Sequence, residues 1–293
     1  MERHRSGHVQ IVLAALLFST GGAAIKATAF SGLQVAGLRS ILAAAFLVAV
    51  CPGALRGWSW RAGVVAVAHA ATLVLFVLAN KLTTSMNSIF LQNTGPLYVL
   101  ALSPLLLGER IRRSDLVVMA VMALGLVMFF MEAADPLATA PHPLAGNVLA
   151  AVSGLAWALV IVGLRWLGRR EGGAGALPAV VTGNLVAAGV CLTAGWPLAD
   201  GTVADWAIIG FLGVFQVGLA YVFLTQGLRH AAAFTASILL LIEPVFNPVW
   251  SFFIHGEAPG AWAFVGAGVI LSATVGKVVM ERRAAGEMEG RRE

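Results

Sequence analysis

Charge is the scarcest commodity in this chain. Of its 293 residues only 11% are Asp, Glu, Lys or Arg, while 59% are hydrophobic. A soluble domain carries nearer a quarter charged residues. The deficit excludes a solvated surface over most of the chain, so most residues must face lipid or other helices. Cysteine is almost missing. Cys51 and Cys191 are the only two, both inside apolar segments, which excludes a disulfide framework and a thiolate metal site. Catalytic signatures are lacking as well: there is no Gly-rich phosphate loop followed by Lys, no His-Glu-x-x-His pair and no nucleophile elbow. An ATP-driven pump within this chain is thereby excluded, and no enzyme activity, catalytic residue, metal ligand or cofactor is expected. The net charge of +5 would suit a nucleic-acid binder. The basic residues, however, sit in short loops and termini between apolar runs, as membrane topology demands, and no nucleic-acid partner is expected.

Long apolar runs are what the chain has in plenty. A spanning helix needs about twenty apolar residues to cross a hydrocarbon core of about 30 Å. Such runs fall near 8–28, 33–51, 62–80, 85–107, 114–131, 144–167, 177–196, 203–226, 233–255 and 260–280. In lipid the backbone must satisfy its own hydrogen bonds, which leaves helices or a closed barrel. Apolar runs without alternation choose helices. The expected fold is therefore an all-α membrane protein of ten transmembrane helices. The run after Arg5 fits a first spanning helix better than the shorter apolar region of a cleavable signal.

The loops set the orientation. Arg3 and Arg5, Arg56 and Arg61, Arg110, Arg112 and Arg113 fall on one side. Arg165, Arg169, Arg170, Arg229 and the tail arginines Arg282, Arg283, Arg291 and Arg292 join them. Glu132, Asp135, Asp200, Asp205 and Glu257 fall on the other, with Lys81 the main exception. By the positive-inside rule both termini are cytoplasmic, in a bacterial-type inner (plasma) membrane. The first ten residues and the segment after Glu281 are expected as mobile polar tails. The stretch Ala133–Pro143, with three prolines, links the halves on the outer side.

Shifting the chain by 148 positions lays one region on another. Leu91 falls on Leu239, Pro96 on Pro244, Ser103 on Ser251 and Gly108-Glu109 on Gly256-Glu257, with no gap from Ala79 to Glu109. With a smaller shift Lys26 meets Arg165. Pro and Glu are rare in apolar stretches, so their coincidence at one offset argues for an internal repeat rather than chance. Five helices is an odd number, so the second half enters from the opposite side. The expected organisation is a first five-helix repeat over 1–135, a periplasmic linker over 136–143, a second five-helix repeat over 144–283 and a polar cytoplasmic tail over 284–293. Inverted repeats are a common transporter plan, with the substrate site near the midplane.

These residues carry a family resemblance. Glu243-Pro244-Val245 is followed by Gly256-Glu257, and Gly95-Pro96-Leu97 by Gly108-Glu109. Helix 1 has Phe18-Ser19-Thr20-Gly21-Gly22 leading to Lys26, and helix 2 has Arg39. Over nearly its whole length the chain resembles the EamA-type branch of the drug/metabolite transporter superfamily. The resemblance implies a ten-helix, two-repeat bundle that exports amino acids or similar metabolites.

Glu243 is the sharpest single signal, the one acidic residue deep in a spanning segment. A carboxylate there is costly and marks function by default. Proton coupling or recognition of a substrate amine follows; a fixed ion pair with Lys26 or Arg39 is the structural alternative. Helical steps of three and four place Asn247 and Ser251 on its face, and Ser88, Gln92, Gly95, Val99 and Ser103 on the equivalent face of helix 4. Paired polar stripes suggest two walls of one cavity, or helix–helix hydrogen bonding. Pro96 and Pro244 each remove a backbone bond to the residue four earlier. Gly95, Pro96, Pro244 and Pro248 are thus candidate hinges. Ser19, His69, Thr72 and Phe76, Ser153 and Trp157, and Tyr221 and Thr225 are further candidates for lining the site. For His69 a hydrogen-bonded structural role is the commoner reading, and for Trp157 packing or an interface anchor. Lys26 reads as snorkelling to the interface, and Arg39 as structural, with a substrate carboxylate, Glu243 or a backbone carbonyl as its partner. Gly268, Ser272 and Gly276 form a ridge of small residues suited to packing helix 10 against helix 5, or to a dimer.

The expected function is secondary export of small metabolites, amino acids foremost, by alternating access, with protons as the candidate coupling ion and the lipid bilayer as the surroundings. Uptake, or transport of drugs or other metabolites, is the alternative within transport. A membrane-embedded enzyme acting on a lipid is the alternative of another class. Monomer and homodimer both stay open.

Overall fold

The computed structural model describes residues 2–51, 53–130, 141–170, 175–255 and 261–290. All regular secondary structure among the described residues is helical, and the helices fall into ten rods. α1 (Glu2–Ser19) and α2 (Gly21–Ala27) make the first, α3 (Gly32–Val50) the second and α4 (Trp60–Leu82) the third. α5 (Ser85–Gln92) and α6 (Gly95–Leu107) make the fourth, and α7 (Arg113–Phe130) the fifth. α8 (Pro143–Arg170) and α9 (Ala176–Ala194) follow. The eighth rod joins α10 (Val203–Phe211) to α11 (Ala220–Gly227) through a π-helical stretch, Leu212–Leu219. α12 (Ala233–Leu240) and α13 (Ile242–His255) form the ninth, and α14 (Ala261–Gly290) the tenth. Among the described residues eight of these stretches are long and apolar enough to cross a membrane. The chain is a multi-pass membrane protein, with apolar side chains such as Val64, Val67, Leu105 and Phe253 exposed on its outer faces.

Local chemistry sets the ends. Ser31 and Gln34 close a capping box at the start of α3, and Thr202 and Asp205 do the same for α10. The hydroxyls of Ser59 and Thr84 accept from backbone N–H groups at the starts of α4 and α5. Each satisfies an amide that no helical partner reaches. α1 begins at Glu2 and α14 runs to Gly290, so the expected polar tails continue the terminal helices instead. Their Ala, Glu, Arg and Met content favours helix. Glu132 and Asp135, most of the linker, Gly256-Glu257 and the last three residues lie outside the described residues.

Four of the ten rods are discontinuous where the sequence suggests single helices, with proline hinges in the fourth and ninth alone. The fourth breaks at Asn93–Thr94 and the ninth at Leu241. Shifted by 148 positions, Ser85–Gln92 falls on Ala233–Leu240, so the two breaks share a register. Each proline sits in the first turn of the following helix, where a missing N–H costs least. The packing also respects an exchange of halves. α4 packs on α8 as α1 packs on α11, and α4 on α9 as α3 packs on the π-helical stretch. α3 packs on α9, α6 on α12 and α7 on α14.

The tenth rod does meet the fifth, but not through the expected ridge. Space is open around Gly268 and Gly276, and Ser272 is exposed. The close approach is at Gly125, where an added Cβ would lie 2.9 Å from Ile270 and 3.1 Å from the Gly266 carbonyl. Asp115 and Lys277 clamp the same pair of helices in a buried ion pair of 2.6 Å.

Candidate functional site

A cavity of about 40 Å³ lies among the central helices. Phe18 of α1, Arg39 of α3, Thr72, Leu73 and Phe76 of α4, and Gln92 of α5 line it from the first half. Trp157 of α8, Gln216 and Val217 of the π-helical stretch, Tyr221 of α11 and Glu243 of α13 line it from the second. Among the described residues, the fifth, seventh and tenth rods contribute nothing to its wall.

Broken helices build this site. Thr20 interrupts the first rod between α1 and α2, and Gly21 and Gly22 follow. A Cβ on Gly21 would lie 2.6 Å from the Gln216 amide, and one on Gly22 equally near the Asn247 amide. A side chain at either position would push the Gln216 or Asn247 amide aside. The break after Gln92 has a similar partner. Gly154 brings α8 so close that a Cβ there would meet the Leu91 and Gln92 carbonyls at 2.9 Å each. The Leu91 carbonyl accepts from Thr94. The Gln92 carbonyl is the one that Pro96, lacking an N–H, leaves without its helical donor. In the eighth rod the π-helical turn carries Gln216 to the cavity wall; such segments often mark functional positions. Gly213 lies under it, within 2.9 Å of the Arg39 carbonyl for an added Cβ.

Arg39 is 1% exposed. Its Nη1 donates to Gln216 Oε1 at 3.2 Å and its Nη2 to the Leu73 carbonyl at 3.0 Å. Its Nε is buried with no hydrogen-bond partner among the described residues. Glu243 is buried, and among the described residues no donor or cation stands within bonding distance of its carboxylate. The guanidinium and the carboxyl group share one cavity without forming an ion pair. The fixed pair of Glu243 with Lys26 or Arg39 is therefore not made. Lys26 instead donates to the Thr83 carbonyl at 3.0 Å.

Of the sequence candidates, Phe76, Gln92, Trp157, Tyr221 and Glu243 come together on the cavity wall, with Thr72. Gln92 donates to Ser153 at 2.8 Å, which ties α5 to α8. Phe18, Trp157 and Tyr221 meet edge to face, with centroids 5.3 to 6.2 Å apart. The other candidates stand behind the wall. Ser19 accepts from Trp250 at 2.8 Å, and its carbonyl accepts from Asn247 at 2.9 Å, stitching α1 to α13. Ser88 accepts from Asn80 and donates to the Ser85 carbonyl. Thr225 donates to the Tyr221 carbonyl. His69 is fully buried behind Tyr221, ring centroids 4.5 Å apart, with its Nε2 3.0 Å from the Asn184 amide. Gly95 abuts Trp157, and Pro96, Pro244 and Pro248 lie in the helices that follow the breaks. Sequence reasoning missed Gln216, though it is the one strongly polar residue in the apolar run from Trp206 to Ala220.

A second polar cluster closes one end of the bundle. Glu109 accepts from Arg165 Nε at 3.3 Å and from the Ala233 amide at 3.1 Å, with Arg169 3.9 Å away. Arg165 also donates to the Leu228 and Arg229 carbonyls at 2.7 and 2.9 Å. One arginine of α8 thus holds the end of α6, the end of α11 and the start of α12 together.

Comparison with known proteins agrees with this architecture. The chain is 27% identical over 271 residues to an uncharacterized transporter of Archaeoglobus fulgidus, covering 92% of this chain and 94% of that one. It is 27% identical over 191 residues to the pseudopaline exporter CntI of Pseudomonas aeruginosa, which is 63% of each chain. A solved crystal structure superposes with a TM-score of 0.78 at 19% identity, over 96% of this chain and 99% of that one, a likeness of fold alone. The model of the EamA-like transporter family matches twice, at residues 5–131 and 144–278. With both halves matched, almost the whole length is accounted for, and the chain belongs to the EamA-like transporter family of the drug/metabolite transporter superfamily.

Proposed function

We propose that this protein exports amino acids or similar small metabolites across a bacterial-type inner membrane by alternating access. One observation carries the reading: a central cavity, walled by both halves, holds a buried arginine and a buried carboxylate that do not pair. Buried charge within a membrane is expensive and is found where solutes or ions pass. The name of the Pseudomonas relative, an exporter, favours export as the direction.

The halves are two inverted five-helix repeats, 1–135 and 144–283, joined by an outer linker at 136–143, with both termini in the cytoplasm. The shared register of the two helix breaks and the exchangeable packing support this. The cavity of about 40 Å³ has room for roughly three waters at about 10–15 Å³ each. Sites for organic ligands run to about 300–1,000 Å³. Transport therefore requires widening, and the breaks at Gly95-Pro96 and around Pro244 and Pro248 are where the wall gives way. Glu243 is the residue through which protons couple to the substrate. The chain works as a monomer or a homodimer around this site.

The test is flux of radiolabelled amino acids in proteoliposomes, with and without a pH gradient. Accumulation above empty liposomes, enhanced by the gradient in the wild type and indifferent to it in Glu243→Gln, is the expected result. A gradient effect that persists in Glu243→Gln removes the coupling role. No flux of any amino acid removes the substrate class.

A further inference from the structure

We propose that the central cavity is a zwitterion site, in which the Arg39 guanidinium takes a substrate carboxylate and the Glu243 carboxylate takes its ammonium group. The inference rests on the export reading above and assigns the chemistry of the same site.

The argument begins with what each charge lacks. A buried charge without a partner costs several kcal/mol, so a fold that keeps two of opposite sign ordinarily joins them. Here they line one cavity and stay apart. Arg39 is not free to swing across: Gln216 and the Leu73 carbonyl hold two corners of its guanidinium at 3.2 and 3.0 Å. The third corner, Nε, is buried and has no hydrogen-bond partner among the described residues. Guanidinium forks are suited to carboxylates because two parallel N–H groups meet two oxygens. Glu243 comes from a different half and a different helix, at the second position of α13 just past the break at Leu241. It has open valences for a cation, and among the described residues no cation fills them. An occupant with one charge would neutralise one end and leave the other exposed. An occupant with both neutralises the pair, and it bridges the two halves only when bound.

The remaining wall is suited to the uncharged part of such a molecule. Phe18, Trp157 and Tyr221 form an edge-to-face triad on one side, and Val217 continues it. Apolar side chains of an amino acid fit this surface; a second formal charge has no partner there.

The experiment is competition against uptake of radiolabelled L-leucine, L-methionine and L-phenylalanine into wild-type proteoliposomes. The unlabelled competitors are each parent amino acid, its carboxamide, its decarboxylated amine and its des-amino acid. Loss of one hydrogen-bonded charge partner is expected to weaken competition about tenfold or more. An amide, amine or des-amino acid that competes within about threefold of its parent overturns the zwitterion site while leaving amino-acid export standing. No uptake of any of the three amino acids overturns both. In Glu243→Gln, the parent and its des-amino analogue are expected to become equal competitors, whereas a merely structural Glu243 would leave their ratio as in the wild type.

Discussion

The contact between Gly154 and the broken fourth rod can be tested by adding one carbon. In Gly154→Ala the new Cβ would stand 2.9 Å from both the Leu91 and Gln92 carbonyl oxygens, and 3.2 Å from the Gln92 Cα. Heavy atoms in good contact sit about 3.5–4.0 Å apart. The deficit is therefore roughly half an ångström or more, against backbone that cannot rotate away. α8 must withdraw from α5, and such overpacking costs about 1–3 kcal/mol. The displacement falls on the cavity, because Gln92 and Trp157 belong to the two elements being separated and the Gln92–Ser153 bond spans them at 2.8 Å. A lower thermal midpoint in detergent and a reduced transport rate are both expected. Gly189→Ala is the control: nothing lies within 4 Å of its added Cβ, and alanine favours helix over glycine by about 1 kcal/mol. If Gly154→Ala matches Gly189→Ala in midpoint and rate, the close approach is not what shapes the site.

The clamp between the fifth and tenth rods is expected to respond to single and double changes differently. Lys277→Met leaves Asp115 buried and unpaired, a loss of about 3–5 kcal/mol; adding Asp115→Asn, which still accepts from the Arg112 amide, should restore much of the midpoint. A double variant no more stable than the single would refute an ion-pair origin. Glu109→Ala strands Arg165 and the Ala233 amide, and about 1–3 kcal/mol of stability should go with those bonds. An unchanged thermal midpoint would show that the end cluster does not hold α6, α8 and α12 together.

The membrane made most of the architecture readable in the sequence. Lipid forces the backbone into long helices, so ten apolar runs translate directly into ten rods. The correspondence between the fourth and ninth rods was visible because Pro96 and Pro244 stand at one offset, each in the first turn after a helix break. What those prolines do was harder to read. A kinked helix and two helices with a proline in the second one's first turn have the same sequence, and Gly154, sixty residues on, favours the second. The π-helical turn has no proline to announce it; it accompanies close packing of Gly213 and Gly218 on Leu42 and Phe46. The small-residue ridge misled because helix periodicity tells which residues share a face, not which way that face points. Asp115 and Lys277 find each other across 162 positions, a distance no local pattern encodes. Glu243 stood out by its rarity among apolar neighbours. Arg39 was as rare, yet its part in the cavity emerges only once Gln216 and Leu73 are seen to hold it on a wall shared with Glu243.

The most direct measurement concerns the cavity itself as the route of the substrate. Thr72→Cys, in a chain carrying Cys51→Ala and Cys191→Ala, puts one thiol on the cavity wall. A small membrane-impermeant thiol reagent is then applied from each face of oriented vesicles, with and without amino acid. Alternating access through this cavity predicts labelling from both faces and slower labelling when a transported amino acid is present. Labelling from neither face, or at a rate indifferent to every amino acid, would contradict it.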